Sequence, residues 1–187
     1  MLKMNRQPRV QLRAYEKADL ARVFSLHNDP ELFRLLNDTA VLPISLQEEA
    51  AQLDRCISPK NKDLSYTFAL TAVAGRKAAP VLIGHCGYFK VSHKNRTCEI
   101  FISIADKNYR GKGYGTAALR KLLEFLFLEK NMRKVLLHVY SFNKRAIVCY
   151  EKLGFSQEGC LREHLYRDGK YHDVHIMALF CDDSIKK

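Results

Sequence analysis

Along the chain the spacing of apolar positions changes repeatedly, and each change marks an element. "RVQLRAY" (9–15) alternates apolar and polar residues, the period-two pattern of a half-buried strand. "EKADLARVFSLHND" then brings Leu20, Val23 and Phe24 to helical spacing, with His27 next on that face and Pro30 just past the expected end. Ser45, with Glu48 three residues on, is a capping box that opens a second helix at about 46–57. Three runs rich in β-branched and aromatic residues follow at 64–73, 80–91 and 97–105, joined by short polar or Gly/Pro turns, and predict an antiparallel meander. Leu119, Leu122, Leu123 and Leu126 mark an amphipathic helix to about residue 130. "KVLLHVYS" (134–141) is nearly continuous apolar strand, so strand, helix and buried strand make a parallel β-α-β unit. A fourth helix at 144–153 stops at Gly154, and two last strands, near 155–166 and 170–180, meet at Asp168-Gly169, a hairpin turn pair.

The resulting order, β-α-α-β-β-β-α-β-α-β-β, is an α+β fold: one mostly antiparallel mixed sheet flanked by about four helices. A length of 187 residues suits one core, so the expected domain is 1–187. No apolar run approaches the roughly 18 residues of a membrane span, and "MLKMNRQPRV" lacks the apolar centre of a signal peptide; a cytoplasmic protein is expected. The six cysteines form no C-x-x-C pair, and His172 and His175, three apart on a strand, face opposite ways, so no metal site is expected.

Lysine and arginine total 31 against 20 acidic residues, a net charge of +11, which favours anionic partners or phosphate-bearing substrates. The basic residues are spread through all segments without an aromatic-laced stripe, which disfavours nucleic acid and leaves a phosphate-rich cofactor. "YRGKGYGTAAL" (109–119) supplies a place for one. Three glycines in five residues lie between a strand and a helix, where unpaired N–H groups and the helix dipole attract an anion and glycine lets it approach the backbone. Arg110 and Lys112 add attraction from the rim. The spacing is neither G-x-x-x-x-G-K-[ST] nor G-x-G-x-x-G. A second constellation lies in "NKRAIVCYEKLGF" (143–155), where Asn143 sits at an N-cap and Tyr150 about two turns on along the same face. A plain cap and a core aromatic are the alternatives.

Together the two stretches resemble a known pair. "R110-G-K-G113-Y-G115" is similar to the [RQ]-x-x-G-x-[GA] pyrophosphate loop of the GNAT superfamily of N-acetyltransferases. "N143-x-x-A146-x-x-x-Y150-x-K152-x-G154-F155" resembles the motif that follows it there. The carboxy half, through "LREHLYRDGKYHDVHIM", is most similar to the branch containing ribosomal-protein N-terminal and spermidine acetyltransferases.

The resemblance implies acetyl-CoA as co-substrate, with Arg110, Gly111, Lys112, Gly113, Tyr114, Gly115 and Thr116 around its pyrophosphate and Asn143 and Ala146 alongside. Its pantetheine arm would enter where the fourth and fifth strands splay apart, past Ile102 and Ile104, with a backbone N–H at a bulge near Ile104 meeting the thioester carbonyl. Tyr150 would protonate the leaving thiolate, and Glu99 would act as base, through water; a strand-end charge paired with Arg96 or a lysine is the alternative for Glu99. His138 lines the cleft or sits in the core. The acceptor is a protein N-terminal α-amine or a polyamine or other small amine, and Glu48, Glu49 and Glu99 are candidates for an acidic pocket around it. A catalytically silent acetyl-CoA-binding sensor is the competing function, and a homodimer through the apolar carboxy-terminal strands is a further expectation.

Overall fold

A computed structural model describes residues 8–36, 42–73 and 79–181; most of the amino-terminal stretch lies outside them. The strands are β1 (Val10–Arg13), β2 (Tyr66–Ala72), β3 (Val81–Ser92), β4 (Thr97–Ile104), β5 (Lys134–Tyr140), β6 (Ser156–Arg167) and β7 (Lys170–Phe180). Among them run the helices α1 (Leu20–His27), α2 (Pro30–Leu36), α3 (Leu46–Ile57), α4 (Tyr114–Glu124) and α5 (Lys144–Glu151). The strands form one sheet in the order β1-β2-β3-β4-β5-β7-β6, antiparallel except for β4 beside β5.

Amphipathic helices cover both faces. On one, Leu119, Leu122 and Leu126 of α4 and its extension, with Tyr150 of α5, pack on Cys98, Ile100, Val135 and Leu137 of the sheet. On the other, Val23 of α1 and Leu53 of α3 pack with Ala69 and Leu82. Each fully buried leucine here contributes about 1.5–3 kcal/mol. Ser45 and Glu48 form the capping box that opens α3, and the β6–β7 turn takes positive φ at both Asp168 (54°) and Gly169 (75°).

Two elements differ from expectation. Pro30 follows α1, which ends at His27, as expected, but it also begins a further helix: the Asp29 carboxylate accepts the Glu31 N–H at 3.0 Å and its carbonyl accepts that of Phe33, so Asp29 caps α2 and Pro30 takes its first position. The helices therefore number five among the described residues. The helix after the glycine turn ends at Glu124 and widens into a π turn, Phe125–Glu129, where Lys130 N–H reaches Phe125 O at 3.1 Å. The extra residue in that turn lets the neighbours Leu126 and Phe127 both bury.

The register of the parallel pair matters most. β4 and β5 pair only at Thr97–Lys134, Cys98–Val135 and Glu99–Leu136, while β4 continues to Ile104 and β5 to Tyr140. Beyond Glu99 the strands part, leaving a fork in the middle of the sheet. The bulge expected near Ile104 is not in the strand pairing: β3 and β4 stay in step from Gly84–Ile104 to Phe89–Glu99, and the irregularity falls between Phe89 and Ser92.

Candidate active site

The glycine turn closes the β4 side of the fork. Gly111 (φ 73°) and Gly113 (φ 84°) occupy the left-handed region, and Gly113 is the N-cap of α4. Gly115 differs: it is helical, and a Cβ there meets nothing nearer than Ile104 Cγ1 at 3.8 Å. Two of the three glycines are thus required by the backbone, whereas the third leaves room that the fold does not use. Among the described residues, none of the N–H groups from Gly111 to Thr116 donates a hydrogen bond. A row of donors with no protein partner, open to solvent at a helix N-terminus, fits a diphosphate, because the N–H groups and the helix dipole point at one spot.

Arg110 is turned inward. Its guanidinium donates to the carbonyls of Ile104 (2.9 Å) and Ala105 (2.8 Å), lies 3.3 Å from Asp29 and 3.6 Å from Glu31, and its side chain is 11% exposed. It ties the end of β4 to the turn and to the start of α2. The cations at the rim are the exposed Lys112 and Arg145, the latter within 3.1 Å of where a Gly111 Cβ would stand. Tyr109 and Tyr114 brace the turn edge-to-face, with ring centroids 5.1 Å apart.

α5 lies beside the start of α4. Asn143 caps it, its side-chain oxygen accepting the Ala146 N–H at 3.2 Å. Thr116 Oγ1 and Cys149 Sγ are 3.2 Å apart, joining the two helices. Tyr150 is buried against Phe155, and loss of solvent pushes its hydroxyl well above the ordinary phenol range. It stays protonated throughout the neutral range.

The opposite face of the fork is built from charged side chains. Glu99 Oε1 receives Lys90 Nζ at 2.9 Å, and Glu99 Oε2 lies 3.3 Å from His138 Nδ1. Deeper in, His27 Nδ1 meets the buried Glu49 carboxylate at 3.0 Å, and the His27 ring stands edge-on to His85 at 5.4 Å. Burial first, and His27 second, push the His85 imidazole down to about 3. Glu48, Glu49 and Glu99 do not assemble into one acidic pocket: Glu48 serves the Ser45 cap, Glu49 the His27 ring, and Glu99 the Lys90–His138 pair. Arg96, one candidate partner for Glu99, bonds Asn131 instead.

These two walls, a bare backbone turn and a parted parallel strand pair, correspond to a known family. The profile of the acetyltransferase (GNAT) domain matches residues 9–156. The chain belongs to the GNAT family. It is an acetyl-CoA-dependent amine N-acetyltransferase. The spermidine N(1)-acetyltransferase of Vibrio cholerae is 29% identical over 168 residues, 90% of this chain and 91% of that protein. The solved structure of spermidine N-acetyltransferase from Vibrio cholerae in complex with CoA and spermine superposes with a TM-score of 0.79 at 25% identity, covering 95% of this chain and 98% of that one. A dodecameric structure of the Vibrio cholerae enzyme in an intermediate state matches at 26% identity and TM-score 0.71, over 91% and 93% of the chains.

Of the residues named from sequence, Ile102, Ile104 and 111–116 gather along β4 and the turn, and Asn143, Ala146 and Tyr150 along the neighbouring helix. Glu99 lies on the other face, at the last paired position of the fork. Exposed His138 is not a core histidine. Its contact with Glu99 and that of Lys90 escape any local motif, because strand register creates them. Among the described residues no group of three or more His, Cys, Asp or Glu could hold a metal ion, and no helix is long and apolar enough to cross a membrane.

Proposed function

We propose that this enzyme acetylates a primary amine of a polyamine or similar small alkylamine, by direct attack while both substrates are bound. The observation that carries the reading is the row of unpartnered N–H groups from Gly111 to Thr116 at the head of the fork. The likeness to the spermidine acetyltransferase of Vibrio cholerae, in sequence and in structure over nine-tenths or more of the chain, favours a polyamine over a protein α-amine. The net charge of +11 does not oppose it, because attraction within a Debye length is set by the groups lining the site and not by the total.

In this reading the turn amides hold the cofactor's diphosphate and Lys112 adds charge at the rim. Ile102 and Ile104 line the pantetheine arm, while Asn143 and Ala146 flank it. An alkylamine of pKa near 10.4 is mostly cationic at pH 7, so freeing its lone pair costs on the order of 4 kcal/mol unless a base at the fork takes the proton. The amine nitrogen then bonds to the acetyl carbon, the C–S bond breaks, and the sulfur takes a proton from Tyr150, which regains one from the new amide nitrogen. Burial keeps the Tyr150 hydroxyl protonated for that donation. Self-association through the exposed β6–β7 hairpin, which carries Leu161, Tyr166 and Tyr171, completes the proposal.

The test is incubation with acetyl-CoA and a panel of spermidine, spermine, short alkylamines and peptide α-amines, following released thiol. Turnover greatest with polyamines is expected. Tight coenzyme binding without turnover of any amine would leave only a sensor.

A further inference from the structure

The proton acceptor at the fork is legible in the geometry of Glu99 and His138. Glu99 is the last β4 residue paired with β5, opposite Leu136; His138 comes two residues later, just past the point where the strands part and on the same face of β5 as Leu136. Glu99 has both oxygens engaged, Oε1 by Lys90 at 2.9 Å and Oε2 by His138 at 3.3 Å, and its side chain is 16% exposed. With an ammonium on one oxygen and an imidazole facing the other, the carboxylate is occupied by its own wall. His138 is in the reverse position, with its side chain 39% exposed. A carboxylate 3.3 Å away favours the tautomer with hydrogen on the facing nitrogen, Nδ1, which leaves the lone pair on Nε2. Among the described residues Nε2 has no partner. Glu99 of β4 faces the ring, Lys90 of β3 holds Glu99 from its other oxygen, Tyr140 is two residues on along β5, and apolar Ile176 pairs with His138 on β7.

We propose that His138 Nε2 is the catalytic base that takes the proton from the acceptor ammonium, and that Glu99 is a positioning residue that fixes the imidazole's tautomer and orientation. This deepens the acetyltransferase reading and rests on it. The protons balance: the ammonium gives one to Nε2, which passes it to solvent, and the attacking nitrogen gives its second to the departing thiolate by way of Tyr150. A neutral imidazole takes a proton directly on its free nitrogen and can return it to water, which is what a general base must do.

The experiment compares wild type, His138→Gln and Glu99→Gln with spermidine as acceptor across pH 5.5–9. For His138→Gln, kcat/KM at pH 7 should fall on the order of 100-fold with the KM for acetyl-CoA little changed, and the acid limb of the profile should disappear. Added imidazole should restore part of the activity of His138→Ala. Glu99→Gln should cost about tenfold and move the acid limb to lower pH, because the imidazolium loses its counter-charge. Nitrogen NMR of the wild type should find the hydrogen on Nδ1. His138→Gln within about twofold of wild type, with its acid limb intact, would overturn the proposal. Should that variant not fold, as judged by circular dichroism, an unshifted limb in Glu99→Gln would do the same. If the wild type acetylates no amine, the acetyltransferase reading itself falls; normal turnover with an indifferent His138 removes only the base.

Discussion

The two walls of the fork recognise by different means. On the α4 side the groups left free are main-chain N–H donors with exposed Lys112 and Arg145 at their rim, and Arg110 is spent on the carbonyls of Ile104 and Ala105. On the other side the backbone is tied up in the sheet and the chemistry lies in side chains that hold one another: Lys90, Glu99 and His138 at the surface, His27, Glu49 and His85 beneath. A backbone site tolerates exchange of side chains except where a Cβ would intrude or φ is positive. A side-chain site answers to each substitution, and to pH.

The largest expected effect comes from Tyr150, buried on α5 on the α4 side. Replacing it with Phe removes the proton donor while keeping the ring on Phe155, so kcat should fall on the order of 100-fold or more with coenzyme affinity little changed. Steady-state kinetics and a binding titration on one preparation check both halves; equal turnover would remove Tyr150 from the role.

The glycines sharpen the contrast on the backbone wall. At Gly113, φ 84° strains any side chain by roughly 1–2 kcal/mol, more if β-branched, so Gly113→Val should weaken coenzyme binding at least about tenfold and also lower the melting temperature. Gly115→Ala separates the two consequences. The protein accommodates that Cβ at 3.8 Å from Ile104, so stability should hold within about 0.5 kcal/mol while coenzyme affinity falls, measured by calorimetry beside a thermal melt. Unchanged affinity would mean that no ligand approaches Gly115.

The smallest effect tests the side-chain wall. His85, with its pKa pushed down to about 3, resists protonation in the folded state, whereas an unfolded chain protonates it near 6.5. Its contribution is therefore complete above about pH 6.5 and declines as pH falls towards 3. By pH 5.5 that amounts to about 1 kcal/mol, or about 2–4 °C in melting temperature. His85→Gln should flatten this slope between pH 6.5 and 5.5; an identical slope would mean that the ring is more open to water than its packing indicates.

Much of the architecture was legible because one period governs each stretch. Alternation at 9–15 became β1, the leucines at 119–126 became the buried stripe of α4 and its π turn, and Asp168-Gly169 became the hairpin turn. Pro30 marks the end of α1 correctly, but proline both follows helices and begins them, and α2 is missed because its Asp29 cap is seen only in three dimensions. The site divided along the same line as its walls. The glycine turn is contiguous, so its free donors follow from spacing. The engagement of Glu99 by Lys90 and His138 is a product of β3–β4 and β4–β5 register, which no local motif encodes. The inward turn of Arg110 depends likewise on where β4 ends and α2 begins.

The account rests most heavily on the claim that free main-chain donors at residues 111–116 grip the diphosphate. Calorimetric titration of the intact protein with coenzyme A and, separately, with pantetheine, which lacks the diphosphate, addresses it directly. Coenzyme A should bind at least about 100-fold more tightly, since several charge-assisted hydrogen bonds are each worth about 1.5–3 kcal/mol. Equal affinity for the two ligands, or no binding of coenzyme A, would contradict it.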